Sequence, residues 1–204
     1  MKAAPAGGQG SPWARCRILG QVGGLYVVME MEDGLVLMDP HAAHERVLYE
    51  RYLAEVARGR VESQGLLIAE TVELQPVAAQ RVRRHWELLK SLGFGIAEFG
   101  GDTFVVDALP ACFAEIAPRL LLPDMAAALE ETGARGGTRR LLEERIAQSA
   151  CKASVKAHQN LTEQEIAALV AQLAEVEMPY TCPHGRPTLI HQSFQELARK
   201  FGRI

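Results

Sequence analysis

Apolar and polar positions alternate along this chain with two periods, and the two periods separate its strands from its helices. Ile18 to Met31 is rich in β-type residues and carries a Gly23-Gly24 pair that breaks or bulges it. Glu32-Asp33-Gly34 and then Leu35 to Met38 follow. Asp-Gly between two β-type runs predicts a tight hairpin. Asp39 and Pro40 then suit an N-cap and a first helical position, and the helix they start should run to about Arg58 and close at Gly59.

Residues 64–76 read as an extended segment, 77–93 as one amphipathic helix closed by Gly93, and 94–110 as a hairpin around Gly100-Gly101. Leu120 to Glu131 reads as helix, 133–137 as a loop, and Thr138 to His158 as a long helix whose later half is crowded with small residues. Thr162 with Glu165 and Ser193 with Glu196 have the capping-box spacing. Between them, residues 178–187 form a proline-stiffened loop, and 188–192 suit a strand. The whole predicts a mixed α+β fold without internal repeats.

Composition narrows the class. The 204 residues, 48% of them hydrophobic, suit one large domain or two small ones with a real core. A net charge of −3 gives no global basic signature, so contact with nucleic acid would need a local patch. Cys16, Cys112, Cys151 and Cys182 are scattered, which points to reduced thiols in a cytoplasmic protein. No apolar run is long enough for a membrane span, and the start lacks the apolar stretch of a signal peptide. Residues 1–12 read as linker, as if the chain were one piece of a longer protein.

Two stretches carry chemistry. In residues 39–50, DPHAAHERVLYE, His41 and Glu45 stack on one helix face, and Asp39 stands at the mouth of the same helix. Carboxylate and imidazole suit Zn²⁺ or Mn²⁺, while capping by Asp39, a backbone bond from His41 and an ion pair from Glu45 would serve structure alone. His44 lies roughly 100° from the Glu45 direction and reads as surface or as support for a ligand. Arg46 pairs with Glu50 by spacing.

The second stretch is CPHGRP, residues 182–187. Cys182 and His184, two apart on a stiff loop, can face one centre; a buried thiol and a surface imidazole would explain them equally. Together Asp39, His41, Glu45, Cys182 and His184 give one donor more than a closed tetrahedral zinc site needs, which suits an open or binuclear site. Arg186 beside them suits a phosphate oxygen or a structural ion pair. Lys152 and Lys156, one turn apart, would add positive charge or simply be solvated.

These residues resemble the C-terminal domain of the MutL-type DNA mismatch-repair proteins, in their nicking-endonuclease branch. The family motif D-Q/M-H-A-x-x-E-x-x-x-x-E stands here as residues 39–50, A-C-R as ACK at 150–152, C-P-H-G-R-P intact at 182–187, and F-x-R as FGR at 201–203. Pro40 replaces Gln or Met, and Lys152 replaces Arg with loss of the planar fork. The resemblance implies metal-dependent nicking of duplex DNA with Zn²⁺, Mn²⁺ or both. It places Asp39, His41, Glu45, Cys182 and His184 as metal ligands, with Arg186 and Lys152 in the catalytic surroundings.

The resemblance further implies a homodimer working with other mismatch-repair proteins. A dimerisation subdomain would comprise 13–61 and 146–204 and carry the metal site, with 62–145 a peripheral regulatory subdomain. An ATPase domain would precede the linker; this chain has no ATP-binding motif of its own. Gln64-Gly65-Leu66-Leu67-Ile68 resembles the short Gln-x-Leu-type sequence that docks on the replication sliding clamp, with Gln64, Leu66 and Leu67 as contacts and Ala69 where a closing Pro is usual. An ordinary buried strand accounts for the same residues.

Overall fold

The computed structural model describes residues 13, 16–114, 116–133, 139–154 and 160–204. Its fold is mixed α+β, with seven strands and seven α-helices among the described residues. Contacts divide the chain into two units, Met1–Val47 with Ala157–Ile204, and Leu48–Lys156.

The first unit is built on an antiparallel sheet. Strands β1 (Arg17–Val22), β2 (Tyr26–Glu30), β3 (Gly34–Met38) and β7 (Leu189–Ser193) lie in the order β1-β2-β3-β7. The turn at Gly23-Gly24 joins β1 to β2, and the Asp33-Gly34 hairpin joins β2 to β3, closed by the Met31 N–H on the Gly34 carbonyl at 2.8 Å. A Cβ on Gly34 would stand 2.4 Å from the Gln192 carbonyl oxygen, so β7 can pair with β3 only because residue 34 has no side chain. Val27, Met29, Val36 and Met38 fill one face of the sheet. The first turns of helix α1 (Pro40–Ala57) and one stripe of α6 (Glu163–Glu175) pack there, through Ala43, Val47, Ile166, Leu169, Val170 and Leu173.

On the other face of that sheet, apolar side chains reach solvent among the described residues. Register puts Val28, Leu37 and Ile190 side by side across three strands, with Val22 opposite Tyr26 beyond them. Ile190, Val22 and Tyr26 are each about half exposed, an apolar stripe where alternation would favour polar residues.

The second unit has its own three-stranded antiparallel sheet, ordered β4 (Ser63–Glu73), β6 (Thr103–Pro110), β5 (Gly95–Gly100). Helices α4 (Pro118–Gly133) and α5 (Arg139–Ser154), with the later turns of α1, complete a core that includes Tyr52, Phe104, Phe113, Leu121 and Met125. Tyr52 donates its hydroxyl to the Leu92 carbonyl at 3.0 Å and lies 4.9 Å from Phe113, ring to ring.

Both capping boxes form: Thr162 and Glu165 start α6, and Ser193 and Glu196 start α7 (Phe194–Lys200). Helix α1 ends as spacing predicts, with the Arg60 N–H on the Glu55 carbonyl and Gly59 at φ +64°. One expectation is corrected. Residues 77–93 are not one helix but two, α2 (Pro76–Arg84) and α3 (Trp86–Ser91), because His85 leaves the helical region at φ −106°, ψ 19°. The expected loop at 133–137 falls beyond Gly133 outside the described residues, as do Thr138, Lys156 and the end of the long helix expected to reach His158.

Candidate metal centre

The site begins where β3 hands over to α1. Asp39 follows the last residue of the strand, and its N–H donates to the Thr188 carbonyl at 2.9 Å. Its Oδ1 accepts the N–H groups of His41 at 3.0 Å and Ala42 at 3.1 Å, so it caps the helix. His41 stays near it, with Nδ1 3.8 Å from that oxygen. One turn later Glu45 points into the protein, 3% exposed.

The partner of this helix start is the hairpin 179–188. The N–H of Cys182 donates to the Arg186 carbonyl at 2.8 Å, the N–H of Gly185 to the Cys182 carbonyl at 2.9 Å, and the N–H of Thr188 to the Tyr180 carbonyl at 3.0 Å. Gly185 takes φ +83°, a conformation that glycine adopts without strain. The buried Thr188 hydroxyl donates to the Pro179 carbonyl. Thr188 thus closes the hairpin and also holds Asp39.

Glu45, Cys182 and His184 converge, with one donor atom from each lying within 4.8 Å of the others. His184 Nδ1 is 3.1 Å from Glu45 Oε2, and Arg186 Nη2 donates to Glu45 Oε1 at 2.6 Å. An ionised carboxylate only accepts, so a neutral His184 donates from Nδ1 and keeps its lone pair on Nε2. Arg186 is held protonated more firmly than an ordinary arginine, first by Glu45 and then by Cys182. Asp39 and His41 stand outside this group of three.

The donor set fits a divalent metal. Ligand atoms around a tetrahedral Zn²⁺ stand roughly 3.3–3.8 Å apart, within reach of small side-chain rotations from this cluster. Sulfur, imidazole and carboxylate donors on largely buried residues are the types that Zn²⁺ takes. Among the described residues this cluster offers three donors, one fewer than a closed tetrahedral zinc site uses.

Spacing offered Arg46 a partner in Glu50 but did not hint at its reach into the site: it is buried, and its Nε donates to the Thr181 carbonyl at 2.6 Å, one residue before Cys182. It continues the buried stripe of Ala42 and Ala43, the one signal that would have turned it inward. Lys152 lies on α5, and its side chain is outside the described residues. The Gln64 segment is strand β4, but pairing with β6 lapses between Gly65 and Glu70. Leu66 packs on the core while Leu67 and Ile68 project almost fully into solvent, so the ordinary buried strand is not what forms there.

Residues 19–161 match the family profile described as the MutL C terminal dimerisation domain. The chain is 39% identical over 183 residues to the DNA mismatch repair protein MutL of Phenylobacterium zucineum, covering 90% of this chain and 29% of that protein. It is 41% identical over 185 residues to MutL of Desulforamulus reducens, covering 90% and 29%. With MutL of Geobacter sulfurreducens it shares 36% over 195 residues, covering 96% and 32%. The chain therefore spans less than a third of the length of these curated relatives. On the profile match and on identities that run through nine-tenths of its length, the chain belongs to the MutL C-terminal dimerisation domain family.

Proposed function

We propose that this chain is the dimerisation and endonuclease domain of a cytoplasmic mismatch-repair protein, and that it nicks duplex DNA with the help of a divalent metal. The observation that carries this reading is the convergence of Glu45, Cys182 and His184 under Arg186. Cys182 and His184 favour Zn²⁺ as the tightly held ion, and the carboxylates of Glu45 and Asp39 would accept Mn²⁺. Asp39 and His41, at the mouth of the same helix, are the nearest candidates for completing the set. An ion held there supplies Lewis acidity to a phosphoryl oxygen and makes water acidic enough to act as a nucleophile near neutral pH.

The chain's own residues do the rest. Arg186, about half exposed, reaches toward solvent from the metal loop and can turn its free edge to a phosphate oxygen. Arg46 and Thr188 fix the loop, so the donors need little rearrangement on binding. Lys152 is proposed as a second cation along the phosphate backbone. Its charge does not depend on the planar fork that the substitution removes.

Dimerisation rests on the apolar stripe of Val22, Tyr26, Val28, Leu37 and Ile190, which a second copy would cover in an isologous sheet-face contact. Docking on the sliding clamp rests on Leu67 and Ile68, displayed on an unpaired stretch of β4, with Gln64 and Leu66 beside them. A net negative domain binds DNA weakly by itself, so the clamp and other mismatch-repair proteins would bring it to its substrate.

One observation favours a second reading. Both oxygens of Glu45 are already engaged by Arg186 and His184, and Asp39 caps a helix, which suits a zinc-stapled module for dimerisation and docking without catalysis. Nicking of supercoiled plasmid in Mn²⁺, with clamp present, decides between them. The endonuclease reading expects nicked circles from the wild type and none from Asp39→Asn. Two inert proteins would establish the module.

A further inference from the structure

The first large apolar side chain after Met1 is Trp13: eight of the first 12 residues are Ala, Gly or Pro, so none of them offers a comparable anchor. Trp13 is 5% exposed and belongs to the core of the first unit. Its carbonyl accepts the Cys16 N–H at 3.1 Å, and Cys16 Sγ meets Met29 Sδ at 3.2 Å, which fastens this segment to β2. The indole packs edge-on against Tyr180, with ring centroids 5.1 Å apart at 77°. Tyr180 opens the metal hairpin, two residues before Cys182, and its carbonyl is the one that Thr188 binds. The indole Nε1 is buried without a hydrogen-bond partner among the described residues. The edge-on packing against Tyr180 is the contact that links this ring to the metal hairpin.

We infer that Trp13 is a positioning residue for the loop that carries Cys182 and His184, and that its seat in the core is coupled to the metal centre. The inference rests on the metal reading above. Holding Tyr180 against the core keeps the hairpin where its donors face Glu45. The coupling works in both directions: an ion that fixes the hairpin fixes the ring contact, and loss of the ring contact loosens the ion.

The protein contains two tryptophans, so Trp86→Phe leaves Trp13 as the sole indole. Zinc titration of that variant should shift Trp13 emission, with the midpoint given by chelator competition. Tyr180→Ala removes a side chain that is 44% exposed and should lower the unfolding midpoint of the metal-free protein only slightly. It should weaken zinc binding about threefold to tenfold, the worth of one aromatic pair. Adding Trp13→Phe should not deepen that loss, because both changes break the same contact. Unchanged emission, with Tyr180→Ala binding zinc as the wild type does, would overturn the inference while zinc loss in Cys182→Ala kept the metal reading intact. A wild type that binds no zinc would remove both.

Discussion

Arg186 Nη2 donates to Glu45 Oε1 across 2.6 Å, joining residues 141 apart in the chain. The guanidinium occupies an oxygen that a cation would otherwise claim, and it stabilises the charge on a residue only 3% exposed. Removing Arg186 should separate its two roles. Arg186→Ala is expected to bind zinc at least as tightly as the wild type, since Glu45 loses a competitor. If the proposed endonuclease reading holds, nicking should fall about 100-fold to 1,000-fold, the usual cost of losing a donor to the reacting group. Isothermal titration and plasmid nicking on one preparation check this, and a parallel fall in both would place Arg186 in holding the loop instead.

Arg46 tests the scaffold under the site. Its buried guanidinium holds the Thr181 carbonyl, a charge-assisted hydrogen bond. Arg46→Ala should lower the free energy of unfolding by about 1.5–3 kcal/mol. Arg46→Lys keeps the charge and should lose less. Urea denaturation followed by circular dichroism reads both.

This contact also marks where sequence reading stopped. The Asp33-Gly34 hairpin, the cap at Asp39 and the boxes at Thr162 and Ser193 were legible because each obeys a rule spanning four or five residues. Helical spacing likewise put Glu45 on the face that meets Cys182 and His184. What it missed was longer in range. Nothing local pointed from Arg46 to a carbonyl 135 residues away. His85 continues an amphipathic pattern that predicts an unbroken helix, yet the backbone turns there. For Leu67 and Ile68 a docking peptide and a buried strand stayed equal alternatives, because alternation cannot reveal where pairing lapses.

The exposed sheet face gives a prediction about assembly. Ile190→Asp puts a charge in the middle of the stripe formed with Val28 and Leu37 and leaves the site residues themselves unchanged. Self-association should weaken at least about tenfold while the monomer keeps its fold, because the change removes only apolar surface that solvent already reaches in the monomer. Sedimentation velocity across a concentration series measures it; an unshifted dimer would move the interface elsewhere.

Burial, and then the nearby Glu55, push the Cys112 thiol up to about 12. The folded value lies above the unfolded one, so this group's contribution to stability is fully present below the unfolded pKa, near 8.5. It is lost as pH rises from there through about 12. At pH 8 the native protein should therefore protect Cys112 from iodoacetamide, and urea-unfolded protein should not. Mass spectrometry of the alkylated peptides distinguishes the two, and fast modification in the native state would contradict the assignment.

The central claim is that Glu45 from a helix and Cys182 and His184 from a distant hairpin hold one ion. Elemental analysis of protein purified from zinc-replete cells addresses it most directly. About one zinc per chain is expected in the wild type, with near-complete loss in Cys182→Ala and Glu45→Gln of unchanged fold. A wild type without zinc, or a Cys182→Ala variant that retains the full complement, would contradict it.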